Sequence, residues 1–358
     1  MLKKYSSFFY LFLLALLSCS GDDNGSDDTT SSSKLTSLTI SSSVDKAIVG
    51  ESIFFSALDN TGAVRTYEAK FYVNNNEISG NTYLFDEIGT FEVYATYENI
   101  TSSKIEVTIT PIPIEFKKRV LVEDYTGTWC GWCPRISYAI EKLYEQTDDA
   151  VIVAIHAGDP MQFNKLSSLT SVFNPQGRYP TGIINRETEW NPAHFSNLLQ
   201  VTSKLFEPAY VGIATNSSLN GNNLSVNTKV KIGSNYSSLK LVVLILEDNL
   251  VYDQVNYTSN YSDITRRGNW NGQTTDIAYD FIHNNTLRES LTNVLGDLVS
   301  SETLEHGKVY ESNFTYSIPS NYNKSNIKIV SFVTSGESYE VINVRGAKVG
   351  DQQSIEQN

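Results

Sequence analysis

The chain has 358 residues, with 27 Lys and Arg against 40 Asp and Glu, a formal net charge of −13, 3 Cys and 4 His. At about 100–200 residues per domain this length predicts two or three domains, and 40% hydrophobic residues with 21 Tyr and 16 Phe exclude global disorder. No basic cluster offers the concentrated positive face that nucleic acid requires, and three cysteines cannot build a disulfide-dense scaffold.

Residues 1–18 read as a signal peptide: Lys3 and Lys4 precede the apolar run 8–17, which is too short for a permanent membrane helix. Leu16-Leu17-Ser18-Cys19 resembles a bacterial lipobox, which implies removal of the leader and acylation of Cys19. The alternative is an ordinary leader with an incidental cysteine. Residues 19–34 are Ser, Thr, Gly, Asn and Asp almost throughout, including Asp22, Asp23, Asp27 and Asp28. They cannot bury apolar surface and form an acidic flexible tether. Ser20 directly after Cys19 resembles an outer-membrane sorting signal, and the acidic 20–23 resembles the surface-export signal of Bacteroidetes-type lipoproteins. A periplasm-facing site is the alternative.

Residues 35–112 alternate apolar and polar positions in short runs at 38–40, 52–57, 70–73, 90–97 and 104–109, broken by turn residues at 59–62 and 87–90. The pattern predicts an Ig-like β-sandwich, and Val49-Gly50-Glu51-Ser52 with 89–93 resembles bacterial immunoglobulin-like domains. A spacer or a binding module fits it. Pro111-Ile112-Pro113-Ile114 makes a stiff linker.

Residues 113–207 predict an α/β domain: a strand at 119–125, a helix at 136–146, a strand at 150–155, a strand from Ile183, and a helix opening at Asn191-Pro192 with Phe195, Leu198, Leu199 and Leu205 on one face. Residues 208–358 predict a β-rich, sandwich-like domain with strands at 211–214, 224–232, 239–246, 309–318, 327–333 and 339–345. An irregular insertion at 254–304 carries a helix at 288–298. Within it His283, Trp270 and Arg288 form either a binding surface or ordinary packing.

Chemistry concentrates at Trp129-Cys130-Gly131-Trp132-Cys133-Pro134. Two thiols spaced i, i+3 at a helix start can close a small disulfide ring. The helix N-terminus favours the first as thiolate, the nucleophile and the better leaving group of disulfide exchange. Two other readings stand beside the redox dithiol: a structural disulfide, and half of a zinc site lacking two ligands. No metal or other cofactor is expected. His156 ends the strand 150–155 and is a candidate for proton transfer, or simply a hydrogen-bonded strand end.

On these residues 113–207 resembles a thioredoxin-fold domain. The resemblance implies a buried carboxylate at Asp124, six residues before Cys130, which manages the proton of Cys133. It also implies a cis-proline loop at Tyr179-Pro180-Thr181, and a substrate groove from Trp129, Trp132, Tyr179 and Thr181. Pro134 and Trp132 depart from the usual pattern, and Trp132, between the cysteines, leaves the redox direction open. The leader, the run 123–134 and the run 283–288 resemble the outer-membrane-protein-28 family of Bacteroidetes lipoproteins. The resulting expectation is a multidomain, membrane-tethered thiol–disulfide oxidoreductase with catalytic Cys130, Cys133, Asp124 and Pro180. Its partners would be protein disulfide or dithiol clients and a redox partner, with the membrane reached through Cys19. The alternative is a surface binding or adhesion lipoprotein that uses the domain as a scaffold.

Overall fold

The computed structural model of the chain describes residues 34–257 and 276–358. The leader, the tether up to residue 33 with Cys19, and Trp270 lie outside the described residues. What is described falls into two compact units, one ending at residue 109 and one beginning at residue 110.

The first unit runs β1 (Leu38–Ser42), β2 (Lys46–Ile48), β3 (Ser52–Asp59), β4 (Lys70–Val73), β5 (Asn76–Glu77), β6 (Thr82–Leu84), β7 (Gly89–Tyr97), β8 (Ile100–Thr101) and β9 (Ile105–Thr110). One sheet has the order β1-β3-β6 and the other β2-β9-β7-β4-β5, with β8 on β7. Strict alternation of buried and exposed residues along β3 turns Ile53, Phe55 and Ala57 inward. They meet Phe71, Phe85, Val93 and Val107 in a single core.

The second unit opens with β10 (Val120–Thr126), α1 (Cys133–Tyr144), β11 (Ala150–His156), α2 (Leu166–Phe173), β12 (Thr181–Ile184), β13 (Thr188–Trp190) and α3 (Leu199–Thr202). It continues with β14 (Val211–Asn220), β15 (Asn223–Ile232), β16 (Leu239–Glu247), β17 (Leu250–Val255), β18 (Ile277–His283), β19 (Thr286–Ser290), β20 (Asp297–Leu298), β21 (Val309–Ser317), β22 (Ile327–Ser335) and β23 (Val341–Lys348). One nine-stranded sheet, ordered β13-β12-β10-β11-β19-β16-β22-β23 with β20 on β16, spans most of it. β10 pairs in parallel with β11, and β11 in parallel with β19. A second sheet, β14-β15-β21, packs on this one, and β17-β18 form a separate hairpin.

The sequence reading separates 113–207 from 208–358, whereas here the two segments share one sheet. The reason lies in β16. Leu241, Val243 and Ile245 enter the core shared with β14 and β15, while Val242, Leu244 and Leu246 enter the core shared with β10 and β11. A strand apolar on both faces is a central strand, covered on both sides. The expected helix at 288–298 is absent: Thr286–Ser290 instead fills the slot between β11 and β16 as β19. The helix expected from Asn191-Pro192 starts later and is short. A 3-10 turn at Phe195–Asn197, capped by the His194 side chain, precedes α3. Leu199, expected on the apolar face, is 73% exposed, while Leu198 and Val201 are buried.

Candidate functional site

β10 is buried along its whole length and ends at Thr126; the loop that follows carries the dithiol to the start of α1. Pro134 sits in the first turn of α1, where a missing N–H costs no helical hydrogen bond. Cys130 and Cys133 form a disulfide and are 5% and 1% exposed. Exposed aromatic rings flank them. Trp129 donates its indole N–H to the Ala157 carbonyl at 2.6 Å and meets the Tyr179 ring edge-on at 5.3 Å. Arg135 lies 5.6 Å over the Trp132 ring. The Tyr179–Pro180 peptide bond is cis, and Thr181 stands opposite Tyr125 in the β10–β12 ladder. The structure thus brings Trp129, Tyr179, Pro180 and Thr181 to the end of β10 that bears the cysteines.

Beneath the dithiol the strands supply acids and imidazoles. Alternation along β10 sends Glu123 to one side, where Arg186 holds it through Nε at 2.9 Å and Nη2 at 2.8 Å. Asp124 faces the other side with Val120 and Val122, toward α1. It is 3% exposed, and its Oδ1 has no hydrogen-bond partner. Burial pushes its carboxyl up to about 7. His156 lies across the parallel ladder from Thr126, and its Nδ1 is 2.7 Å from Asp159 Oδ2. The same Oδ2 accepts from the Thr128 backbone N–H at 2.9 Å, so Asp159 ties the histidine to the cysteine loop. Burial works against the Asp159 carboxylate, but His156 and the N–H groups of Thr128 and Met161 hold it below the usual range.

Residues from far along the chain complete the site; the sequence reading missed Gln254 and Tyr257, and named His283 only as part of a binding surface or ordinary packing. Gln254 at the end of β17 donates its side-chain amide to the carbonyls of Cys130 at 3.0 Å and Gly127 at 3.3 Å. Val255 N–H reaches Thr128 O, and Tyr257 N–H reaches Gly131 O, each at 2.8 Å. The Tyr257 ring packs so closely on Gly131 that a Cβ there would stand 2.4 Å from it. His283, at the end of β18, is 6% exposed and sits 5.1 Å from His156, ring to ring, at a steep angle. Its pKa falls to about 4, first through burial and then through the neighbouring His156. A hydrogen bond to the Tyr252 backbone engages one ring nitrogen, and Nε2 has no partner. A cavity of about 130 Å3 is lined by Asp124, Thr126, His156, Gln254, His283 and Asn285. In the sequence the signals for this contribution were the run 283–288 and the strand composition of 279–283, Tyr-Asp-Phe-Ile-His. Arg288, grouped with His283 in the sequence reading, instead pairs with Glu247 at 3.2 Å and lies over the Tyr322 ring. Among the described residues, no group of three or more His, Cys, Asp or Glu side chains is arranged to hold a metal ion.

The family model described as outer membrane protein Omp28 matches residues 167–353. Among solved structures, HBP35 of Porphyromonas gingivalis is 15% identical, with a TM-score of 0.51 over 67% of this chain and 80% of that one. At that identity the likeness is one of fold. A domain of the outer membrane lipoprotein Omp28 from Porphyromonas gingivalis is 18% identical and covers 40% of this chain and 92% of that one, with a TM-score of 0.25 that carries no argument. No curated protein matches the chain.

Proposed function

The chain belongs to the outer membrane protein Omp28 family, which places it at the outer membrane, and from that premise we propose that it is a tethered thiol–disulfide oxidoreductase. Residues 113–207 are read as a thioredoxin-like region whose sheet is continued by β19, and acylated Cys19 as its anchor. Cys130 is the nucleophile. Its thiolate attacks a client disulfide to form a mixed disulfide, and Cys133 resolves it while Asp124 takes up the Cys133 proton. The reverse sequence oxidises a client dithiol. Pro180 shapes the groove, Trp129, Trp132, Tyr179 and Thr181 line it, and His156 serves proton transfer.

The observation that carries this reading is Asp124: a buried carboxyl with an unpartnered oxygen, on the α1-facing side of the strand that leads into the cysteine loop. A purely structural disulfide has no use for such a group, whose burial costs stability unless it is paired. The test is mass spectrometry of Cys133→Ala incubated with cell-envelope proteins. Client chains disulfide-bonded to Cys130 are expected. The reading fails if none is trapped and the native chain neither reduces nor oxidises a model protein disulfide.

A second reading, a scaffold within a surface binding lipoprotein, draws on the burial of both sulfurs and on the strap from Gln254 to Tyr257 across the loop. The reduction potential separates the two readings. Exchange catalysts of this fold poise between about −270 and −120 mV, whereas structural disulfides lie below about −300 mV.

A further inference from the structure

The cavity that Asp124 lines also contains a polar atom, on His283, for which exchange chemistry alone gives no reason. His283 Nε2 and Asp124 Oδ1 are both buried without partners, and both side chains line the cavity. They arrive from distant parts of the chain, one at the end of β18 and one within β10. A cavity with polar atoms in its wall takes up water where a wholly apolar one stays dry, and one water needs only about 10–15 Å3, so this one has room for several. An unprotonated Nε2 accepts a hydrogen bond and a protonated carboxyl donates one. Water between them satisfies both atoms.

We propose that His283, carried in by the β17–β18 hairpin, is a positioning residue that holds a water-mediated proton path between Asp124 and solvent during thiol–disulfide exchange. The inference rests on the redox reading and deepens it. In the reducing direction the Cys133 proton passes to the Asp124 carboxylate as Cys133 Sγ attacks Cys130 Sγ. The bond between Cys130 and the client sulfur breaks, the Cys130–Cys133 bond forms, and the enzyme dithiol is oxidised as the client disulfide is reduced. The departing client thiolate takes a proton from water. Asp124 is left protonated, and it either returns this proton to Cys133 when the disulfide is reduced again or exchanges it with solvent. Because β10 is buried throughout, the cavity is its outlet.

The other titratable groups facing the cavity are His156 from β11, held by Asp159, and Glu141 and Tyr144 from α1. Burial, and then His156, keep His283 neutral down to about pH 4. It therefore works as a fixed acceptor that orders water rather than as a store of protons.

The test is an infrared titration of the full chain in its disulfide form, with Asp124→Asn identifying the carboxyl band. His283→Phe strips water from the cavity and is expected to raise the Asp124 midpoint by about one pH unit or more. The pH at which client exchange inflects should move with it. His283→Gln, which keeps a polar atom in place, should remain within about half a unit of the native midpoint. His283→Leu replaces the Phe variant if the larger ring prevents folding. An unchanged midpoint in the apolar variant overturns the proposal. Equal shifts in the apolar and Gln variants overturn it too, because they would make His283 a packing residue. Should the native chain exchange no disulfide at all, the redox reading falls, while the infrared midpoints still decide whether His283 acts on Asp124.

Discussion

Asp59 in the first unit and Asp124 in the second are both buried strand residues, 7% and 3% exposed, yet their carboxyls move in opposite directions. Asp59 Oδ1 accepts from the Thr61 hydroxyl and N–H and from Ala63 N–H, and Oδ2 accepts from Arg65 Nε. These bonds, the Thr61 hydroxyl foremost, hold it well below the usual carboxylate range. Every one comes from within six residues, so the carboxylate pins a turn. Asp124 has an oxygen with no partner, and burial alone moves it, upward to about 7. Burial therefore does not fix the role of a carboxylate. Its hydrogen bonds decide whether it is a permanent anion or a group left free to exchange a proton near neutrality.

The two units can be driven further apart by mutation, beginning with their ion pairs. Arg186 and Glu123 are fully buried, and Arg186→Met leaves a charge stranded, at a cost of about 3–5 kcal/mol. Arg65→Met in the first unit removes a 29% exposed partner and should cost far less. All four Trp lie beyond residue 109, so denaturant melts followed by Trp fluorescence report the second unit. Hydrogen exchange on peptides from 34–109 reports the first. Comparable losses in the two would remove the contrast.

Next in size is a pH effect of opposite sign in the two aspartates. The folded pKa of Asp124 is raised from 3.8 to about 7, so the folded state binds the extra proton between those values and stability falls as pH rises through them. Asp124→Asn should then stabilise by up to roughly 4 kcal/mol at about pH 8, with no pH-linked gain at about pH 3. Asp59 is depressed, so its contribution is present above the ordinary carboxylate range and is lost on acidification below it. Asp59→Asn should destabilise at neutral pH, with the difference vanishing in acid. Parallel pH slopes for the two variants would contradict the comparison.

Smaller effects come from glycines within the second unit. Gly131→Ala drives a Cβ into the Tyr257 ring and should cost about 1–3 kcal/mol, with faster hydrogen exchange in 250–257. Gly346→Ala, in β23 with open space around it, should change stability by less than about 0.5 kcal/mol. Equal costs for the two would mean that Tyr257 does not press on the loop.

Local patterns made half of the site legible. The apolar run of β10, the spacing of Ile136, Ile140 and Leu143, and the cysteine pair placed strand, loop and helix within a residue or three of where they lie. The other half depends on pairings that no local pattern encodes. Gln254 meets Cys130 across 124 residues, and Thr286–Ser290 becomes a strand because β11 and β16 leave a slot for it. Tertiary context of this kind overrides intrinsic preference. The doubly apolar face of β16 was the overlooked clue that 208–358 does not stand apart.

The parallel pairing of β11 with β19 also bears on biogenesis. Cys130 and Cys133 are synthesised long before Thr286, and at about 5–20 residues per second the interval is on the order of ten seconds. Throughout it, the strand beside the dithiol has a bare edge and the histidine of β18 has yet to be made. A chain interrupted before β18 has Asp124 and His156 but lacks the His283 imidazole. Cleavage before β18 would leave the dithiol, Asp124 and His156 beside an incomplete cavity, so the site is finished only when the hairpin and β19 arrive.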